Sequence, residues 1–409
     1  MFLRWYFPRF LAKTFALARQ DEYEADRIAG KLLGTDIAGA ALTEMAIKSA
    51  WLGREFWPLH WKTALHNPQP AGPFVAMRVL LAKPVESGFA KDALSQSLKE
   101  ISSVDDTHPV LRDRLDALGA NTGMPASWSV KPALDLLGPD AAHWIAQFDK
   151  QWCRDNASDW KLHHSYLGRV QARVDSLRAS GLRNNATEMA QLGDLQRRLD
   201  AQADVRDCYA RALQVQPDHP GALRGMVSTL PAEDFATRLA LLTRLMETHA
   251  ASRWWASRTA VQILEPLVAA GQPFEEALKQ WRVRLKQADE AEQRAWDEMV
   301  DTPFFHSITR HDLDDFEQGE LLADLGRYKP VRRAWLVRKN LKEFAYRRCY
   351  LLFVELPGMT DADRYQLCRS LERSLDLPGP VLVLWAGHDP SLEDIQKHTF
   401  DVTFARHVA

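Results

Sequence analysis

From residue 133 to about 300 the sequence runs helix after helix, with few clusters of β-branched residues to interrupt it. A chain that keeps the helical period this long must bury its apolar faces helix against helix. The pattern changes only in the last part. Ala334–Arg338 and Tyr350–Leu356 (YLLFVEL, closed by Pro357-Gly358) read as strands, Asp361–Leu375 as a helix, and Pro380–Trp385 (PVLVLW) as a buried strand. This β–α–β order predicts a small α/β domain. Its turns at Gly379-Pro380 and Gly387 carry no glycine-rich phosphate loop, so nucleotide binding is not expected. The expected fold is therefore mainly α, in three segments: a helical region over 1–130, an α-helical repeat-like region over 131–325, and a small α/β domain over 326–409.

The first segment also reads as helical. Residues 9–57 carry Ile28, Ala29, Leu32 and Leu33 at helical spacing, then a punctuating Gly34, then Leu42, Met45, Ala46 and Ser49. His66–Pro73, with three prolines and a glycine, is a turn-rich connection, followed by helices over Phe74–Leu81 and Phe89–Ile101 and a short helix within Asp105–Gly119. The Gly/Pro/Ser-containing stretch from Gly119 to Pro132 marks the first boundary. At the N-terminus, MFLRWYFPRFLAKTFALARQ is interrupted by Arg4, Pro8, Arg9, Lys13 and Arg19, too polar for a spanning helix or a signal peptide. It reads as an amphipathic helix that packs on a partner or lies at a membrane surface through residues 1–20.

Charge and cysteine content exclude several classes. A formal net charge of -2 argues against nucleic-acid binding, and the basic stretch Arg332–Arg348 alternates with apolar residues as a half-exposed strand would. Cys153, Cys208, Cys349 and Cys368 form no CxxC pair and read as separate thiols.

Within the helical middle, Leu192-Gly193 on one helix and Tyr209, Ala212, Leu213 and Pro217 on the next resemble a tetratricopeptide repeat, whose small residues let paired helices approach. Such a region implies a protein or peptide partner held on a concave surface. Trp254, Trp255 and Trp281 are expected as buried anchors between helices.

Two short segments carry candidate chemistry. In ARQDEYEADRIAG, Glu22 and Asp26 stand four apart at what reads as the start of a helix, so their carboxylates share a face. Downstream, Thr107-His108-Pro109 leads to Arg114. Taken for structure alone, Glu22 and Asp26 are acids favoured near a helix N-terminus, Thr107 is a helix cap, Pro109 a first-turn proline and Arg114 a surface ion-pair partner.

Together, Glu22-Tyr23-Glu24-Ala25-Asp26 (E-x-x-A-D) and the segment from Thr107 to Arg114 resemble the back part of a membrane zinc metallopeptidase of the HtpX and CAAX-prenyl-protease type. The resemblance covers roughly the first 120 residues. It implies that Glu22 is the third zinc ligand and that Asp26 orients a ligand histidine. It also implies that His108 and Arg114 contact substrate or the developing oxyanion. It implies peptide hydrolysis by a metal-bound hydroxide, membrane or prenylated proteins as substrates, and a membrane location.

The departure from that family is equally specific. No H-E-x-x-H or H-x-x-E-H occurs, and none of the 13 histidines has another four residues away. His163 and His164 are adjacent, and His306 and His311 are five apart, both poor spacings for one metal. One donor does not hold a catalytic zinc, which takes three protein ligands, and the general base is missing as well. The expectation is a truncated, inactive member that binds no zinc alone, with Met1 an internal methionine of a longer frame. Without spanning segments, such a chain is expected to be cytoplasmic or peripheral to the membrane. The competing expectation is a non-enzymatic helical-repeat scaffold that binds a protein partner.

Overall fold

The computed structural model describes residues 2–100, 108–125, 128, 132–181, 185–301, 304, 306–385 and 400–406, with side chains from Leu17 onward. The chain is mainly helical with one small mixed sheet. It forms two compact units, Met1–Gly168 and Arg169–Ala409. The boundary falls inside one helix, whereas the sequence reading drew three segments with boundaries near 130 and 325.

In the first unit, α1 (Phe2–Leu33) ends where Gly34 takes φ 93°, a left-handed conformation that suits glycine. Then α2 (Thr35–Trp51) continues through a widened π turn at Leu52–Phe56 into α3 (Trp57–Lys62). Next come α4 (Phe74–Leu81), α5 (Ser87–Ser97), α6 (Leu111–Leu118) and α7 (Asp140–Asp155). The bounds of α4 match the sequence expectation. Helix α5 starts two residues early because the Glu86 carboxylate accepts hydrogen bonds from the backbone N–H groups of Gly88 and Phe89, 2.7 Å each. Close approach of α1 and α2 to the end of α6 depends on glycine. A Cβ on Gly30 would lie 2.7 Å from Leu118 Cδ1, and one on Gly39 2.5 Å from Ala120 Cβ.

The turn-rich stretch before α4 is clasped by side chains from α7 and from α8 (Ala157–Ala179). Trp160 Nε1 donates to Asn67 O at 2.8 Å, His164 Nδ1 lies 2.6 Å from Ala64 O, and Phe74 N donates to Asp149 Oδ1 at 2.8 Å. Beneath that clasp His60 is buried among Phe56, Trp57, Trp152 and Trp160, with ring centroids 5.2–5.9 Å away. Burial holds its pKa below the ordinary histidine value, against the opposing pull of an Ala71 backbone hydrogen bond. Its Nε2 has no hydrogen-bond partner.

The second unit continues with α9 (Ala186–Leu199), α10 (Arg206–Val215), α11 (Pro220–Thr229), α12 (Phe235–Thr248), α13 (Arg253–Ala269) and α14 (Glu275–Val300). Successive helices pack on one another. Tyr209 on α10 is fully buried between two glycines: a Cβ at Gly193 would meet its ring at 2.9 Å, and one at Gly225 at 2.3 Å. Its hydroxyl donates to Asp194 Oδ1 at 2.7 Å, and burial raises the pKa of both groups. Of the three tryptophans expected as buried anchors, Trp281 is buried, while Trp254 and Trp255 are only half-buried. The indole of Trp254 turns outward to Asp289, 2.6 Å away.

The mixed sheet comprises β1 (Ile308–Arg310), β2 (Arg333–Lys339), β3 (Tyr350–Glu355), β4 (Val381–Trp385) and β5 (Phe404–Ala405) in the order β1-β2-β3-β4, with β5 also on β2. Helix α16 (Asp361–Ser374) connects β3 to its parallel neighbour β4, as the β–α–β reading anticipated. Side chains alternate across the pleat: Trp335, Val337, Leu351 and Phe353 pack with Ala295 and Met299 of α14. On the other face, Ala334, Leu336, Tyr350 and Leu352 pack with Leu371 of α16 and with Leu321 and Leu325 of α15 (Asp315–Arg327). Strand β2 is thus buried on both faces, correcting the half-exposed strand expected over Arg332–Arg348. Because α14 supplies part of the sheet core, the helical region and the α/β region share one unit. All four cysteines are free thiols, and burial pushes Cys349 up to about 11.

Candidate functional site

Four residues singled out in the sequence meet in the first unit. Glu22 and Asp26 lie one turn apart on α1, far along that helix rather than at its start, so the N-terminal macrodipole does not account for them. His108 and Arg114 flank the start of α6 and approach from the other side. Arg114 grips Asp26 through a two-pronged pair, Nε to Oδ2 at 2.8 Å and Nη2 to Oδ1 at 2.7 Å. The same Nη2 lies 3.0 Å from Glu22 Oε2, and His108 Nδ1 lies 2.8 Å from Glu22 Oε1. These contacts join positions 86 and 88 residues apart.

Burial differs across the cluster. Asp26 is 8% exposed and the Arg114 side chain 15%, while His108 is open to solvent. The hydrogen bond that Arg114 donates to Asp26 is the largest influence raising the Arg114 pKa, which keeps the guanidinium charged. Nearby, burial and the Asp113 carboxylate raise the pKa of the Tyr23 phenol. The surface ion pair expected for Arg114 is thus a partly buried one. Pro109 is buried and precedes the residue that caps α6, so it stands outside the first helical turn where it was expected. Thr107 lies outside the described residues.

His108 and Arg114 also line a groove of about 710 Å³ that runs along α2 and its π turn. The α2 wall carries Leu42, Met45 and the small residues Ala46, Ser49 and Ala50, continued by Gly53 in the π turn, and Arg54 stands beside it with its Nη2 2.6 Å from Gln96 Oε1. The sequence reading did not single out this groove. Its signal was present in the recurrence of small residues at positions 46, 49, 50 and 53, which places them on one helix face.

The described residues do not by themselves complete a zinc site. Among the described residues no three His, Cys, Asp or Glu side chains gather as a metal site. Both Glu22 oxygens already face donors, and Asp26 faces Arg114 rather than an imidazole. Of the other histidines flagged in the sequence, His164 is engaged with Ala64 O, His163 lies edge-on to Trp61 at 5.6 Å, and the buried Nδ1 of His311 has no hydrogen-bond partner. Among the described residues, no helix is long and apolar enough to cross a membrane.

Four arginines of the basic stretch Arg332–Arg348 are paired within the fold. Arg338 and Arg348 pair with Asp312, Arg348 also with Glu317, Arg347 with Glu292 and Arg333 with Glu355. A further cavity, of about 560 Å³, opens beside α12, α13 and α14, where Arg253, Trp254 and Arg284 surround the buried Ser257. Comparison of the chain with protein-family models, with curated proteins and with solved structures finds no match.

Proposed function

We propose that the first unit carries one share of an HtpX-like zinc metallopeptidase site. In this reading Glu22 is the third metal donor, Asp26 stands behind it, and His108 with Arg114 lies on the substrate side. The two imidazoles and the general base belong to an H-E-x-x-H helix that is not among these 409 residues. The 409 residues by themselves therefore hydrolyse no peptide bond. The observation that supports the reading most is the meeting of E-x-x-A-D with the His108–Arg114 segment, side chain to side chain, across more than 80 residues of chain.

Elemental analysis and a protease assay test the first half: the purified chain carries no stoichiometric zinc and cleaves nothing in a chelator-sensitive way. One zinc per chain would overturn it. For the second half, the chain is mixed with a separately expressed H-E-x-x-H segment from an HtpX-type peptidase. Zinc uptake should appear in the mixture and vanish with Glu22→Gln; uptake indifferent to Glu22 removes its assigned role.

A second reading, a helical scaffold that binds a protein segment, is favoured by the cavity around Arg253, Trp254 and Arg284. Its test is partner capture by the whole chain, lost with Trp254→Ala. Capture unaffected by that substitution would reject this surface.

A further inference from the structure

An apolar hollow of the first unit lies away from the Glu22 cluster. It has a volume of about 940 Å³, at the upper end of the range of ligand pockets. Its walls come from α4, α7, the Lys83–Val85 turn and Trp128, with Phe74, Met77, Leu81 and Phe148 among the lining side chains. Phe74 and Phe148 meet edge to face at 6.1 Å, which stiffens that wall.

Helix α4 itself is unusual. Its sequence FVAMRVLL is almost wholly apolar, yet none of its residues is buried. Phe74, Met77, Leu80 and Leu81 are only partly buried and Val75 and Val79 are exposed, so the helix has apolar surface left for another body to cover.

The charges at the rim choose between possible occupants. Glu44 is taken up by Lys48 at 2.5 Å. Arg78 and Lys83, both exposed, face no carboxylate within ion-pair distance among the described residues, and Asp135 is the other acid of the lining. The hollow therefore presents an apolar interior with a net cationic rim, which suits a single-chain amphiphile with an anionic head. We infer that this cavity binds a long-chain fatty acid, its hydrocarbon tail against Met77, Leu81 and Phe148 and its carboxylate at Arg78 and Lys83. The inference is independent of the peptidase and scaffold readings.

The test uses the full chain, freed of lipid, titrated calorimetrically with sodium laurate below its aggregation concentration, with native mass spectrometry for stoichiometry. One laurate per chain binds saturably. Arg78→Ala combined with Lys83→Ala weakens laurate by about tenfold, the scale of a charge-assisted hydrogen bond, and leaves 1-dodecanol binding unchanged. Met77→Trp, which fills the hollow, weakens both probes by about tenfold or more. Should Met77→Trp fail to fold, the double variant decides, because both of its side chains are at the surface. The inference is overturned if laurate does not saturate, if the double variant affects laurate and dodecanol alike, or if the chain binds phosphatidylcholine vesicles but not monomeric laurate.

Discussion

The two units hold themselves together by different means. In the second, strands β2 and β3 are apolar on both faces, and nearly every side chain between Ala334 and Val337 or between Tyr350 and Val354 is buried. In the first, α1 and α6 meet through an arginine fork on a buried aspartate, and large apolar side chains such as Leu32, Leu33, Ile37 and Leu136 stand in solvent. Apolar burial is non-directional and tolerates many partners, whereas the Arg114–Asp26 fork specifies one approach of two helices. The difference teaches how each unit is specified: the contact of α1 with α6 depends on one directional ion pair, and the sheet on apolar burial from both faces.

That contrast can be broken by substitution. The largest effect is expected for Phe353→Ala, at the centre of the sheet, which should cost about 3–5 kcal/mol in chemical denaturation, as buried aromatic truncations do. A cost near zero would show the sheet core to be loosely packed.

Next is Arg114→Ala, which leaves Asp26 buried without its partner and should cost about 3 kcal/mol. Its signature is faster amide exchange confined to α1 and α6, with the sheet unchanged. Arg114→Lys, which keeps the charge but loses the fork, should cost only about 1 kcal/mol. Equal costs for the two substitutions would mean that the fork geometry contributes nothing.

The pH dependence of the clasp comes third. Because burial depresses the His60 pKa, the folded state binds a proton less readily than the unfolded chain. Stability from this site is therefore complete above the ordinary histidine value of about 6.5 and declines as pH falls below it, until the folded pKa is reached. Protection factors near Trp160, corrected for the intrinsic pH dependence of exchange, should fall between about pH 7 and pH 5, and His60→Phe should remove that fall. An unchanged pH response in His60→Phe would assign the effect to another group. The smallest effect is expected at the exposed Arg282–Glu265 pair, where Arg282→Ala should shift stability by no more than about 0.5 kcal/mol.

Much of the second unit was legible in advance because its strands and helices are written in local patterns. YLLFVEL and PVLVLW announce buried strands by continuous apolarity, and the helix between them announces a parallel crossover. The half-exposed reading of Arg332–Arg348 failed because Arg333, Arg338, Arg347 and Arg348 each find a carboxylate in the fold, a fact no local window contains. In the first unit, Glu22 and Asp26 could be placed on one face from their spacing alone. The identity of what they face could not, since His108 and Arg114 lie more than 80 residues further along. The buried His60 was not anticipated at all, because its cage is assembled from α3, α7 and α8.

The sequence by itself determined most helices and the three longer strands, but not the short β1 and β5 or helix α15, because periodicity and residues such as Gly34 act within a few positions. It also determined that these 409 residues contain no paired-histidine clamp. Only the tertiary structure decided that Arg114 closes on both acids of α1, that α14 belongs to the core of the sheet, and that α4 lines an apolar hollow. Each of those outcomes depends on which distant side chains come within a few ångströms, a matter of packing and charge that local patterning does not encode.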